Sequence, residues 1–191
     1  MASRTGRRLF AVTARNQTGG GLLHALARFA TVAVFLAFAG CHQPVRNPPP
    51  SVSYDGLPVS GPMIDAKRAG FNDCVDLDTV HIRCRRHGVM VGDAGPYEAA
   101  VDLAGSSGEG GFDQLTLWHD SDNNAVFKLT QALEASGWSR CLTGNGRTGD
   151  QAIYMRKGAP VRVSMDISYW SKRRVRLIPQ WNQQEAHCTP A

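Results

Sequence analysis

The chain has 191 residues and a formal net charge of +5, from 21 Lys and Arg against 16 Asp and Glu. That length fits one ordinary domain with extensions. Arg4, Arg7, Arg8, Arg15 and Arg28 carry the whole excess, and no acid opposes them in the first forty residues. The rest is formally neutral, so the basic total gives no support to nucleic-acid binding driven by phosphate contacts.

The first element in chain order is "FATVAVFLAFA", eleven residues without a charge between Arg28 and Gly40. As a helix it spans about 16 Å at ~1.5 Å per residue, against a hydrocarbon core of ~30 Å. A basic start, a short apolar run and small residues at its end are the pattern of an export signal. The run closes with Ala39-Gly40-Cys41, which resembles the lipobox of bacterial envelope lipoproteins, with Phe38 where that family usually has Leu. The resemblance covers residues 1–41 only. It implies a signal peptide over residues 1–40, cleavage before Cys41, a thioether lipid on that cysteine and a fatty acyl chain such as palmitate on the new N-terminus. His42 follows, where Asp would mark inner-membrane retention under the enteric sorting rule. The resemblance therefore points to the outer membrane, with the body facing the periplasm.

Residues 41–62 read "CHQPVRNPPPSVSYDGLPVSGP", with six of the ten prolines. Proline at this density predicts an extended tether. The domain is then expected over residues 63–191. Here the alternation of apolar and polar residues predicts strands. "TVHIRC" and "GVMV" flank "RRHG" as a hairpin; "YEAAVDL" and "FDQLTLW" follow on either side of the glycine-rich "AGSSGEGG". One main helix is predicted over about 123–136: Asp122 stands ready as N-cap, Val126, Leu129 and Leu133 form one stripe, and Gly137 closes the end. "WSRCL", "AIYMR", "VRVSMDISYW" and "RVRLIP" complete the strands. In the third, Val161, Val163, Met165, Ile167 and Tyr169 take one side, and Arg162, Ser164, Asp166, Ser168 and Trp170 the other. The expected class is α+β, a mostly antiparallel sheet with one wet face and one dry face under the helix. The β-helix-β-β-β order from Phe112 to Pro179 resembles helix-grip modules of some envelope lipoproteins, a likeness of fold alone.

Cys74, Cys84, Cys141 and Cys188 remain once Cys41 is assigned to the anchor. In an oxidising compartment an even number reads as two disulfides. Three pairings are open; one joins Cys84 to Cys141 between strands and leaves Cys188 to pin the tail to Cys74. A zinc site with His81, His87 or His187 has no supporting ligand spacing.

"GNGRTG" (144–149) matches G-x-G-x-x-G, but "DQAIYMR" after it alternates like a strand, so it reads as a hairpin turn and not a cofactor loop. Asp120, Asp122 and Asn124 start like a calcium loop, yet Ala125 and Gln131 stand where that loop needs Gly and Glu. No metal or cofactor is expected. Ser107, with His119 downstream, is the candidate for an enzymatic alternative, a periplasmic hydrolase, although no nucleophile elbow surrounds it. No catalytic residue is therefore assigned.

Charge is unevenly spread. Residues 98–122 hold six acids and no Lys or Arg, whereas residues 156–176 hold seven bases and only Asp166. "YWSKRRVR" places Trp170, Lys172, Arg173, Arg174 and Arg176 on a candidate binding face for an anionic envelope component or protein, unless the two stretches neutralise each other. The leading expectation is a non-enzymatic lipoprotein, tethered to the membrane by its lipid anchor, with a binding or scaffolding domain. An inhibitor of a wall-degrading enzyme is one form of it.

Overall fold

The computed structural model describes residues 47–144, 149–167, 172–181 and 189–190. Its first element corrects the tether. β1 (Val52–Tyr54) and β2 (Leu57–Ser60) pair antiparallel across Asp55 and Gly56. Both turn residues have positive φ, 50° and 73°, the conformation that makes Asp-Gly a strong two-residue hairpin turn. Leu57 and Val59 are buried, and Pro58 sits in a two-stranded ladder, where a missing N–H is tolerated. The Ser60 hydroxyl donates to the Pro50 carbonyl at 2.7 Å, and Gly61 and Phe112 exchange two backbone hydrogen bonds of 2.9 Å. The packed part thus begins before Val52, not at residue 63. A short helix, α1 (Met63–Arg68), follows and buries Ala66.

The remaining described strands are β3 (Asp73–Asp78), β4 (His81–Val91), β5 (Ala94–Ala104), β6 (Leu115–Trp118), β7 (Ser139–Leu142), β8 (Gln151–Met155), β9 (Val161–Asp166), β10 (Val175–Pro179) and β11 (Thr189–Pro190). They form one antiparallel sheet in the order β11-β7-β8-β9-β10-β6-β5-β4-β3. The sheet-rich antiparallel expectation holds. α2 (Val126–Ala135) interrupts it between β6 and β7, and four strands follow it as far as Pro179, one more than the helix-grip order counts, with β11 beyond them.

Val126, Leu129 and Leu133 are buried as the stripe predicts. They join Val101, Leu103, Leu117, Val163 and Leu177 in the core on the dry side of the sheet. The start of the helix differs from expectation. The Asp122 carboxylate accepts the Asn124 N–H at 2.8 Å, closing a turn ahead of the helix, while α2 itself has no side-chain cap. Aspartate readily makes such a local turn, which competes with capping. Gly137 ends the helix with φ 81°, and Trp138 N–H reaches back to the Leu133 carbonyl at 3.1 Å.

Three further expectations change. "RRHG" is no turn: β4 runs through it, and a register shift between Arg86 and Val89 absorbs an extra residue at Gly88, whose φ is 66°. The first disulfide joins Cys74 to Cys84, which face each other on β3 and β4 with Cα atoms 4.0 Å apart. The pairing of Cys84 with Cys141, and with it Cys74 with Cys188, is therefore wrong; adjacent register on a local hairpin brings Cys74 and Cys84 together. Cys141 is also disulfide-bonded, and Cys41 and Cys188 lie outside the described residues. Finally, the wet side of β9 is not wet: Arg162, Ser164 and Asp166 are buried along with Val161, Val163 and Met165. No helix among the described residues is long and apolar enough to cross a membrane.

Candidate functional site: a cationic cleft on the open face of the sheet

Residues two apart on a strand share a face. On β4 this places Arg83 with Arg85, on β5 Glu98 with Ala100 and Asp102, on β6 Thr116 with Trp118, and on β10 Arg176 just beyond Arg174. Ladder pairing sets them in register: Arg85 faces Ala100, Ala100 faces Thr116, and Thr116 faces Arg176, one row across four strands. Arg83 faces Asp102, and Glu98 faces Trp118. Small side chains at the middle of the row, between long ones on either side, leave a cleft of about 430 Å³ lined by all of these but Glu98, with Gln114, Asp120 and Lys172 at its rim.

Most of its charges are matched. The Arg83 guanidinium donates two hydrogen bonds to Asp102, of 2.6 and 2.7 Å, which raise its pKa. Arg176 donates to both Asp166 oxygens at 2.8 and 3.0 Å and to Gln151 at 3.1 Å. Gln151 in turn donates to Asp166 and accepts the Ser164 hydroxyl. This network covers the polar side of β9, so the group there is buried and satisfied. Lys172 donates to Asp120 at 2.9 Å, and the Trp118 indole N–H donates to the same oxygen at 3.0 Å. These two contacts, Lys172 first, hold the Asp120 carboxyl below its ordinary pKa. Glu98, on the same face, is engaged by His87.

Arg85 and Arg174 are different. Neither has a carboxylate partner among the described residues, and the Arg85 Nε is buried without a hydrogen-bond acceptor. Five cations line the cleft against carboxylates from Asp102, Asp120 and the adjacent Asp166, which leaves an excess of two positive charges at these two arginines. A buried guanidinium N–H without an acceptor is costly, and an anion in the cleft would offset the unmatched charge of Arg85.

Of the candidate binding residues, Lys172, Arg174 and Arg176 meet here. Arg173 does not: its guanidinium lies 4.7 Å from the Phe127 ring centroid and donates to Asn124 at 2.5 Å, on the α2 side. Trp170 lies outside the described residues. The acidic stretch and the basic stretch do meet, through Asp120 and Lys172, without neutralising Arg174. Arg83 and Arg85 were not among the sequence candidates. Their signal was the alternation in "HIRCR", where Ile82 and Cys84 face the opposite side from His81, Arg83 and Arg85.

The other sequence candidates end in local turns. The Ser107 hydroxyl donates to Glu109 at 2.6 Å, while the His119 ring accepts the Asp122 N–H at 3.0 Å. No contact joins Ser107 to His119 among the described residues. Residues 145–148 lie outside the description, but β7 and β8 on either side pair antiparallel, so "GNGRTG" connects a hairpin with no helix after it. A larger cavity, about 600 Å³, lies between the β3–β4 turn, the Gly110–Gln114 loop and Asn47 with Pro49, and it shares Asp102 and Gln114 with the cleft. Its Asp78 is committed to the Val80 N–H and to His81.

No family model matches the chain, and neither a curated protein nor a solved structure does.

Proposed function

We propose that this chain is an envelope lipoprotein, anchored through a lipid on Cys41 and non-enzymatic, whose α+β domain binds an anionic component of the envelope in the cleft on its open sheet face. The helix α2 covers the dry face, and the opposite face makes the contact. The observation that carries the reading is the pair Arg85 and Arg174, cationic and unmatched in a cleft where every other cation has a carboxylate. A non-catalytic role accords with the separate turns that hold Ser107 and His119.

The packed prolines shorten the proposed tether. A β-carbon on Gly111 would meet Pro48 Cβ at 2.7 Å and Pro49 Cδ at 3.0 Å, so this proline pair lies against the domain. The six peptide steps from Cys41 to Asn47 reach about 20 Å at most. Asn47 borders the cavity that adjoins the cleft. The outer membrane, periplasmic side, is the proposed address.

The test is a pull-down from detergent-solubilised envelopes with the full chain and with Arg85→Glu/Arg174→Glu, alongside Arg173→Glu. The reading predicts partners lost from the double variant and kept by Arg173→Glu. Identical partners from all three remove the cleft from the account. For the anchor, Cys41→Ser should move the protein from the membrane fraction to the soluble one.

A further inference from the structure

We infer that the anion held by the cleft is a phosphate monoester, borne on a carbon skeleton that lies against Trp118. This rests on the proposed anion-binding role of the cleft and names its ligand class. The two unmatched guanidinium groups approach from opposite walls, Arg85 from β4 and Arg174 from the approach to β10, with β5 and β6 between them. Three spacings of ~4.8 Å put β4 and β10 about 14 Å apart; the methyl of Ala100 and the hydroxyl of Thr116 form the floor of a trough in the row of Arg85, and Arg174 lies one row over, beside Trp118. A planar carboxylate is matched by one guanidinium fork, as Asp102 is by Arg83. A tetrahedral phosphate presents oxygens in several directions and can meet both forks at once, and as a near-dianion it matches the excess of two charges.

The floor supplies a third donor. The Gln114 amide donates to Thr116 Oγ1 at 3.0 Å, so the threonine oxygen is already an acceptor and its own proton is left to point into the trough. Trp118 is fixed by its indole bond to Asp120, which sets its ring as an apolar wall beside the anion. The cleft thus offers two charged forks, one hydroxyl and one aromatic face. Such a group exists on phosphorylated sugars and on lipid headgroups ending in phosphate; the shared chemistry is the monoester.

The experiment is calorimetric titration of the full chain in detergent with glucose 6-phosphate, glucose, glucuronate and inorganic phosphate. Flotation of the Cys41→Ser protein with phosphatidylcholine vesicles, with and without phosphatidic acid, separates the sources. Glucose 6-phosphate should bind, more tightly than inorganic phosphate, and glucose and glucuronate should not. Arg85→Ala, Arg174→Ala and Ala100→Leu, the last filling the trough without touching a charge, should each weaken binding about tenfold or more. Arg68→Ala on α1 should change nothing, and thermal melts matching the parent establish that the variants fold. Binding to phosphatidic acid vesicles assigns the phosphate to a lipid; binding of the sugar phosphate alone assigns it to a soluble ligand. Equal affinity for glucuronate overturns the phosphate assignment while the anionic cleft stands. Absence of binding to every anion, together with an unchanged pull-down for Arg85→Glu/Arg174→Glu, removes the cleft reading itself.

Discussion

Arg83 and Asp102 stand directly opposite each other on β4 and β5 and share two hydrogen bonds of 2.6 and 2.7 Å. The pair forms one wall of the cleft and cancels its own charge, so the neighbouring Arg85 is left as the cation with an unmatched buried N–H. Partly exposed pairs of this kind add roughly 0.2–1 kcal/mol to stability.

Asp102→Asn should therefore cost little stability but free a third arginine in the cleft. Anion affinity is expected to rise and to fall more steeply with added salt, since exposed charges are screened. Titrations at several ionic strengths measure this. An unchanged salt dependence would show that the cleft's charge does not govern binding.

Val59 and Leu57 lie in the core although proline surrounds them. A chain shortened to begin at Met63 gives up both, at about 1.5–3 kcal/mol of burial each. Its melting temperature should fall by on the order of 10 °C or more. A chain beginning at Asn47 should melt like the parent. Equal melting of the two shortened chains would return residues 52–60 to the tether.

The Cys74–Cys84 bridge closes a short loop and ties down β3, whose six residues are all exposed. Cys74→Ala/Cys84→Ala, which adds no hydroxyl at the buried Cys84 position, should cost about 3 kcal/mol, and the loss should be local. Hydrogen exchange is expected to quicken at Asp73–Asp78 while β8 and β9 keep their protection. Uniform loss of protection across the sheet would make the bridge a global clamp.

What could be read in the sequence was short-range. The α2 stripe of Val126, Leu129 and Leu133 and the closing Gly137 follow from spacing within one helix, and the alternation of β5, β6, β8, β9 and β10 from spacing within one strand. The cleft did not follow, because Arg85 and Arg174 are far apart in sequence and meet only through the pairing of β4, β5, β6 and β10. β3 was hidden by its acids, Asp73, Asp76 and Asp78, which follow no period of two, and neither of its faces is buried. At β1 and β2 the Asp55-Gly56 turn carried the hairpin signal, and the proline count outweighed it. The Cys74–Cys84 disulfide did not follow from spacing, because it depends on the pairing of the hidden β3 with β4.

Lys172 and the Trp118 indole hold the Asp120 carboxyl below its ordinary value. A depressed carboxyl stabilises the fold above its unfolded pKa, near 3.9, and loses that contribution as the pH falls through the lower folded value. The Trp118 indole N–H resonance should therefore titrate with a midpoint below about 3.9. Asp120→Asn should abolish the titration. A midpoint at or above the ordinary aspartate value would mean that neither donor reaches Asp120 in solution.

The most direct measurement follows the guanidinium Nε–H resonances of the arginines by NMR while glucose 6-phosphate is added. Arg85 and Arg174 should shift together along one saturating curve, with Arg68 on α1 unmoved. If all arginines drift in proportion to added ligand, without saturation and without distinction between the cleft and α1, the cleft is no binding site.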